Sequence, residues 1–186
     1  LAKFAVPVYL VPGNHDILAN KIETTYPLYK KYFGEVAHKK EIKGVVCLFI
    51  YTEPLRKNFQ ITEYQPLQWL AEELKNVDNK PVIIFHHAPS SEDFYNNAFH
   101  ESWPAKSREK WEKLINSANV KAVIAGHFHR DELHWEGNVP LFVSPPVASY
   151  WGRQAAYRIY NYKNGRLEYT TQYIEFPSRN PSSDNK

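Results

Sequence analysis

The chain has 186 residues, 43% hydrophobic and 23% charged, a balance that fits one globular domain and excludes an intrinsically disordered chain. No apolar run approaches the roughly 20 residues that span a bilayer. A single cysteine, Cys47, excludes an internal disulfide framework or a cysteine-rich zinc module, and a net charge of +3 is too mild to argue for nucleic acid or a membrane as partner. Methionine is absent, even at position 1, and no Arg-rich or apolar leader opens the sequence.

Residues 4–11 form an apolar run stopped by Pro12-Gly13-Asn14, which predicts a buried strand entering a tight loop. Residues 21–33 are amphipathic and end before Gly34, predicting a helix in spite of Pro27. A second buried strand is expected over 44–51, and residues 56–61 read as a polar connection. Leu67, Leu70, Ala71 and Leu74 recur at helical spacing within 64–74, with Pro66 in the first turn. A third strand over 81–85 runs directly into His86-His87-Ala88-Pro89. Residues 90–104 then form a long loop carrying Phe94, Tyr95, Phe99, His100 and Trp103, of the length that tends to be functional in compact domains. A helix over 106–116 and a fourth strand over 120–125 follow, the strand ending at Gly126-His127-Phe128-His129. From there the pattern changes to four antiparallel strands, 133–135, 139–144, 155–162 and 166–174, read as a β-meander with a hairpin turn at Asn164-Gly165. The polar tail, 177–186, is expected to be disordered.

Alternating strands and helices predict a parallel α/β sheet, and such sheets bind ligands at the carboxyl ends of their strands. Three polar clusters fall at those ends: Gly13-Asn14-His15-Asp16, His86-His87 and Gly126-His127-Phe128-His129. Singly, each has an ordinary structural explanation, a turn asparagine or a strand-end histidine satisfied by backbone. Together they supply imidazole and amide or carboxylate donors, a set that suits Zn, Mn or Fe better than Mg alone. His127 and His129, one residue apart, are placed to reach one metal centre or two adjacent ones. His15 is placed to donate a proton or to stabilise transition-state charge, and Asp16 to fix its tautomer.

Strand-GNHD, strand-HHAP and strand-GHFH, in that order, resemble the calcineurin-like metallophosphoesterase superfamily, with its purple-acid-phosphatase-like and small Ser/Thr-phosphatase-like branch as the nearest in character. The resemblance implies a four-layer α-β-β-α sandwich over 1–176, a mixed parallel sheet followed by an antiparallel carboxyl-terminal meander. It implies two metal ions (Mn, Zn or Fe), with Asn14, His87 and His127 on one and His129 on the other. His87 is preferred to His86 because the family's ligand is usually the His of an H-x-Pro step. His15 would contact the scissile phosphate and assist the leaving group, with Asp16 orienting it. The implied chemistry is two-metal hydrolysis of a phosphate ester, a phosphomonoester or phosphoprotein foremost, with cyclic nucleotides also among the branch's substrates. Arg130, Arg153, His100 and Trp151 are candidates for substrate contact, as are the aromatics Tyr95, Phe99, Trp103 and Tyr150, since guanidinium groups suit a phosphate and aromatic rings a nucleobase or sugar.

Two further motifs of the superfamily, Asp-x-His and Gly-Asp-x-x-Asp (or Tyr), stand upstream of GNHD in its members and have no counterpart here; Asp16 is the first aspartate. The expectation is therefore a domain truncated at its amino terminus, lacking strands and most ligands of one metal. Such a chain would bind metal weakly and turn over slowly, and any export signal would lie upstream. A divergent, non-catalytic binding protein on the same scaffold is the alternative.

Overall fold

The computed structural model describes residues 4–92, 102–149 and 153–175. A six-stranded mixed sheet is ordered β1-β2-β3-β4-β6-β5, from β1 (Ala37–Ile42), β2 (Val45–Ile50), β3 (Val82–Phe85), β4 (Val120–Ala125), β5 (Glu132–Glu136) and β6 (Val139–Val143). The β2, β3, β4 and β6 strands run parallel, and β1 and β5 close the two edges antiparallel. A separate two-stranded sheet, β7 (Ala156–Lys163) and β8 (Arg166–Tyr173), turns at Asn164-Gly165, both with positive φ.

The central strands are apolar apart from Lys121 of β4, because both faces are covered. Val46, Leu48, Ile50, Val82, Ile84, Val123 and Leu141 face α3 (Pro66–Lys75) and α4 (Ala105–Ile115), which contribute Leu70, Leu74, Trp111 and Ile115 to one core. The alternate residues Ile83, Ala122, Ile124 and Phe142 meet Tyr160, Tyr162 and Leu167 of the β7–β8 hairpin. A third cluster joins Ile17, Tyr51, Ile61 and Tyr64 to Tyr26 and Tyr29 of α1 (Ile22–Phe33). Among the described residues no helix is long and apolar enough to cross a membrane.

Several expectations change. Residues 4–11 form no strand: Phe4 and Val6 are exposed, and Pro7 removes a ladder donor. The segment instead rests Tyr9 on Phe49, ring centroids 5.1 Å apart. The β1 strand was not predicted; its lysines and exposed face suit a sheet edge, and the Lys43-Gly44 turn to β2 has positive φ at both residues. Residues 53–56 form a short helix, α2 (Glu53–Arg56), so the expected polar connection begins inside the protein. The carboxyl-terminal antiparallel strands divide into two hairpins in different sheets, because β6 lies parallel to β4. The tail 177–186, like His100, Tyr95, Phe99, Tyr150 and Trp151, lies outside the described residues.

Candidate metal centre

The carboxyl ends of β2, β3 and β4 share one rim of the sheet, and the predicted clusters follow them. The 13–17 turn comes to the same rim. Asp16 N–H and Ile17 N–H both donate to Gly13 O, and the Tyr51 hydroxyl at the end of β2 donates to Ile17 O at 3.3 Å. One Asp16 carboxylate oxygen accepts from Gly13 N–H at 2.8 Å, so this side chain closes the turn that presents Asn14 and His15. His15 and Asp16 are exposed on it, open to an incoming ligand.

The turn meets the end of β3 side on. His87 Nε2 lies 2.9 Å from Asn14 Oδ1 and 3.2 Å from His127 Nδ1, so residues from three distant segments converge on one point. Neighbouring ligand atoms of a tetrahedral ion with bonds near 2.1 Å sit roughly 3.4 Å apart, close to this arrangement. The donor set, two imidazoles and an amide oxygen, fits a borderline transition metal. Among the described residues, no three His, Cys, Asp or Glu side chains form a group able to hold an ion.

Gly13 makes the convergence possible. A Cβ there would stand 2.9 Å from both Cγ and Cδ2 of His87, inside van der Waals contact. Burial pulls the His87 pKa down to about 4; Asp16 opposes the shift while Arg56, His129 and His15 add to it. His87 is thus held neutral, the form that ligates metal.

The paired histidines at the end of β3 go separate ways. His86 is buried, its ring edge-on to Trp103 and Trp111 with centroids 5.6 and 5.2 Å away and its Nδ1 3.3 Å from Thr52 Oγ1. Burial first, and then the neighbouring His87, lower its pKa to about 3. Trp103, a candidate for substrate contact, is 2% exposed and packs in this core.

After β4 the chain turns sharply. His127 and His129 both have left-handed backbones, φ 64° and 53°, uncommon outside glycine though histidine is among the residues that tolerate it. Phe128 between them is driven into the core at 1% exposure and carries the Arg130 guanidinium over its ring at 5.0 Å. Arg130 is itself buried and ion-paired to Glu132, and Arg153 is exposed.

Two groups escape sequence reasoning, one at this rim and one toward the opposite end of the parallel strands. Glu53 and Arg56 form a buried ion pair after β2, Arg56 Nη2 donating to Glu53 Oε2 at 2.6 Å and Nε bridging both oxygens. The (i, i+3) spacing was the available signal, but the short helix needed to use it was not apparent. The other is Glu136, which stands before Gly137 and reads as a turn residue although it is buried.

A model of the calcineurin-like phosphoesterase family matches residues 1–131. The human serine/threonine-protein phosphatase CPPED1 is 27% identical over 162 residues, covering 80% of this chain and 50% of that protein. A 3′,5′-cyclic-nucleotide phosphodiesterase from a Nostoc species is 29% identical over 156 residues, covering 78% of this chain and 53% of its own. The chain thus spans about half the length of these curated relatives. Among solved structures, a dimetal phosphatase from Danio rerio aligns over 73% of this chain and 60% of its own, with a TM-score of 0.49 and 17% identity. The family match takes in the GNHD, HHAP and GHFH turns, and the chain belongs to the calcineurin-like phosphoesterase family.

Proposed function

We propose that this chain supplies the histidine-rich half of a metal-dependent phosphoester hydrolase centre. The observation that carries the reading is the convergence of Asn14 Oδ1, His87 Nε2 and His127 Nδ1 from three segments of a family member. In this reading Asn14, His87 and His127 hold one divalent or trivalent ion (Mn, Zn or Fe), and His129 contributes to a second. Bound ions would supply charge neutralisation at the phosphate oxygens and an acidified water for attack. The residues of the chain do the rest. His15, exposed on its turn, reaches the substrate and gives a proton to the departing oxygen. Asp16 keeps the turn closed through Gly13 N–H, which fixes where Asn14 and His15 point. Neutral His87 presents a lone pair without first losing a proton at physiological pH. Arg153 is proposed to contact the phosphate, while Arg130 is proposed to act from beneath by steadying Phe128 and the turn around it.

The substrates proposed are phosphomonoesters or phosphoproteins, with cyclic nucleotides as the second choice because relatives of both kinds match the chain. The 186 residues alone are proposed to bind metal weakly and turn over slowly, because the Asp-x-His and Gly-Asp-x-x-Asp motifs are not among them. The test is Mn²⁺ and Zn²⁺ calorimetry on the wild-type chain, Asn14→Ala and His87→Ala. Alongside it goes hydrolysis of para-nitrophenyl phosphate, its diester, a cyclic nucleotide and a phosphopeptide. Binding lost in both variants supports the site; equal binding by all three chains refutes it.

A further inference from the structure

The β5 strand ends on Glu136, a glutamate only 6% exposed. Glu136 pairs in register with Val139, so its side chain shares the helical face of the sheet with the main core. Both carboxylate oxygens are engaged. One accepts from the buried Ser90 hydroxyl, and the other accepts from Trp111 Nε1–H at 3.1 Å. Trp111 packs edge-on to Trp103, ring centroids 5.3 Å apart, and Trp103 Nε1–H donates to Ala88 O at 3.1 Å. The contacts close a ring: from Glu136 to Ser90, back along the chain to Ala88, across to Trp103, over to Trp111 and home to Glu136. The segment clamped by this ring, 86–90, is the turn that carries His87. Its other anchor is the Gly126 N–H bond to His87 O at 2.8 Å.

A buried carboxylate is a costly way to fill a core, and an apolar residue of similar volume would pack there at less cost. What Glu136 adds is direction, since its two acceptors fix Ser90 and Trp111 in one relative geometry. We propose that Glu136 is a positioning residue for His87, acting through Ser90 and the 86–90 turn. The role rests on the reading of His87 as a metal ligand. Burial pushes the Glu136 carboxyl up to about 7; the Trp111 hydrogen bond opposes that shift and the charge of Glu112 adds to it. Glu92, Arg108, Glu109 and Glu112 line a cavity together with Ser90 and Glu136, with His86 against Trp111 from the strand side.

The experiment compares the 186-residue wild type with Glu136→Ala, Ser90→Ala and Glu136→Gln by Mn²⁺ calorimetry and by NMR of the metal-free chains. Partners behind a ligand typically change metal affinity by roughly 10- to 100-fold, and a loss in that range is expected for the two alanine variants, with displaced His87 ring signals. Glutamine retains an acceptor for Trp111 and offers Ser90 a donor, so Glu136→Gln is expected to restore most of the affinity. The wild type is expected to show a titration of the Trp111 indole N–H resonance near neutral pH, and Glu136→Gln is expected to abolish it. Alanine variants that stay folded and keep wild-type His87 signals overturn the proposal, as does a Trp111 resonance that titrates identically in Glu136→Gln. A wild type that binds no Mn²⁺ overturns the metal reading instead, and the metal-free His87 signals still decide the positioning role. If Glu136→Ala fails to fold, Ser90→Ala and Glu136→Gln carry the test.

Discussion

Replacing Gly13 by alanine separates the packing of the candidate site from its chemistry, because every proposed ligand keeps its own side chain. The added Cβ would meet three atoms of the His87 ring, Cγ and Cδ2 at 2.9 Å and Cε1 at 3.0 Å. Ordinary carbon–carbon contact is about 3.5–4.0 Å, so the ring must retreat by roughly 0.6 Å or more. It has little room, with Asn14 Oδ1 at 2.9 Å and His127 Nδ1 at 3.2 Å from its Nε2. Gly13 is not in the left-handed region, so the backbone itself accepts alanine and the whole cost falls on the imidazole. Overpacking of this kind costs about 1–3 kcal/mol. At about 2–4 °C per kcal/mol for a domain of this size, the melting temperature should fall by roughly 2–12 °C. Displacing a ligand ring should weaken Mn²⁺ binding by roughly 10-fold or more. Gly126→Ala is the comparison, since its Cβ would find only His87 O at 3.9 Å, an ordinary contact, and its melting temperature should stay within about 2 °C of wild type. Thermal denaturation and calorimetry read both effects. A Gly13→Ala chain with unchanged melting temperature and Mn²⁺ affinity, or a Gly126→Ala chain equally damaged, would refute the reasoning.

Two more predictions concern the surrounding charges. Arg56→Leu leaves Glu53 buried without its partner and should destabilise the chain by about 3–5 kcal/mol, whereas the double variant with Glu53→Leu should recover most of that loss in urea denaturation. A double variant no more stable than the single one would show that the pair is not the cause. For pH, the folded state holds the Glu136 proton up to about 7 while the unfolded chain releases it near 4.5, so this group makes stability fall as pH rises through that window. His86 and His87, lowered to about 3 and about 4, act oppositely: the unfolded chain takes up their protons below 6.5, so stability falls as pH drops from there. Between pH 4.5 and 6.5 the stability of Glu136→Gln should therefore rise more steeply with pH than that of wild type, by about 1.4 kcal/mol per pH unit. Parallel urea-denaturation profiles would count against a raised Glu136.

The parts of this molecule legible in the sequence are those where an apolar run stops at a polar cluster. Residues 82–85 and 120–125 declare themselves as buried strands by composition alone, and the histidines after them inherit a common rim from the parallel order. Which of His86 and His87 faces that rim is a matter of strand register, and the sequence offered only a family habit to choose between them. Residues 4–11 misled because apolar composition fixes burial preference but not a pairing partner, and Pro7 further weakens any ladder. The β1 strand was missed for the opposite reason: an edge strand rich in lysine looks like a solvated loop until its neighbour is known. The buried roles of Glu53, Arg56 and Glu136 left no mark in the sequence, since burial of a charge depends on a partner or an indole supplied by the fold.

The GHFH turn couples two processes that are usually separable. Phe128 enters the core between two histidines whose left-handed backbones face them elsewhere, so the free energy that buries one benzyl group also sets the direction of both imidazoles. Collapse of the hydrophobic interior and assembly of the candidate ligand set are then a single event. A defect in that one apolar side chain would misdirect both imidazoles of the candidate site while leaving every polar residue of it in place.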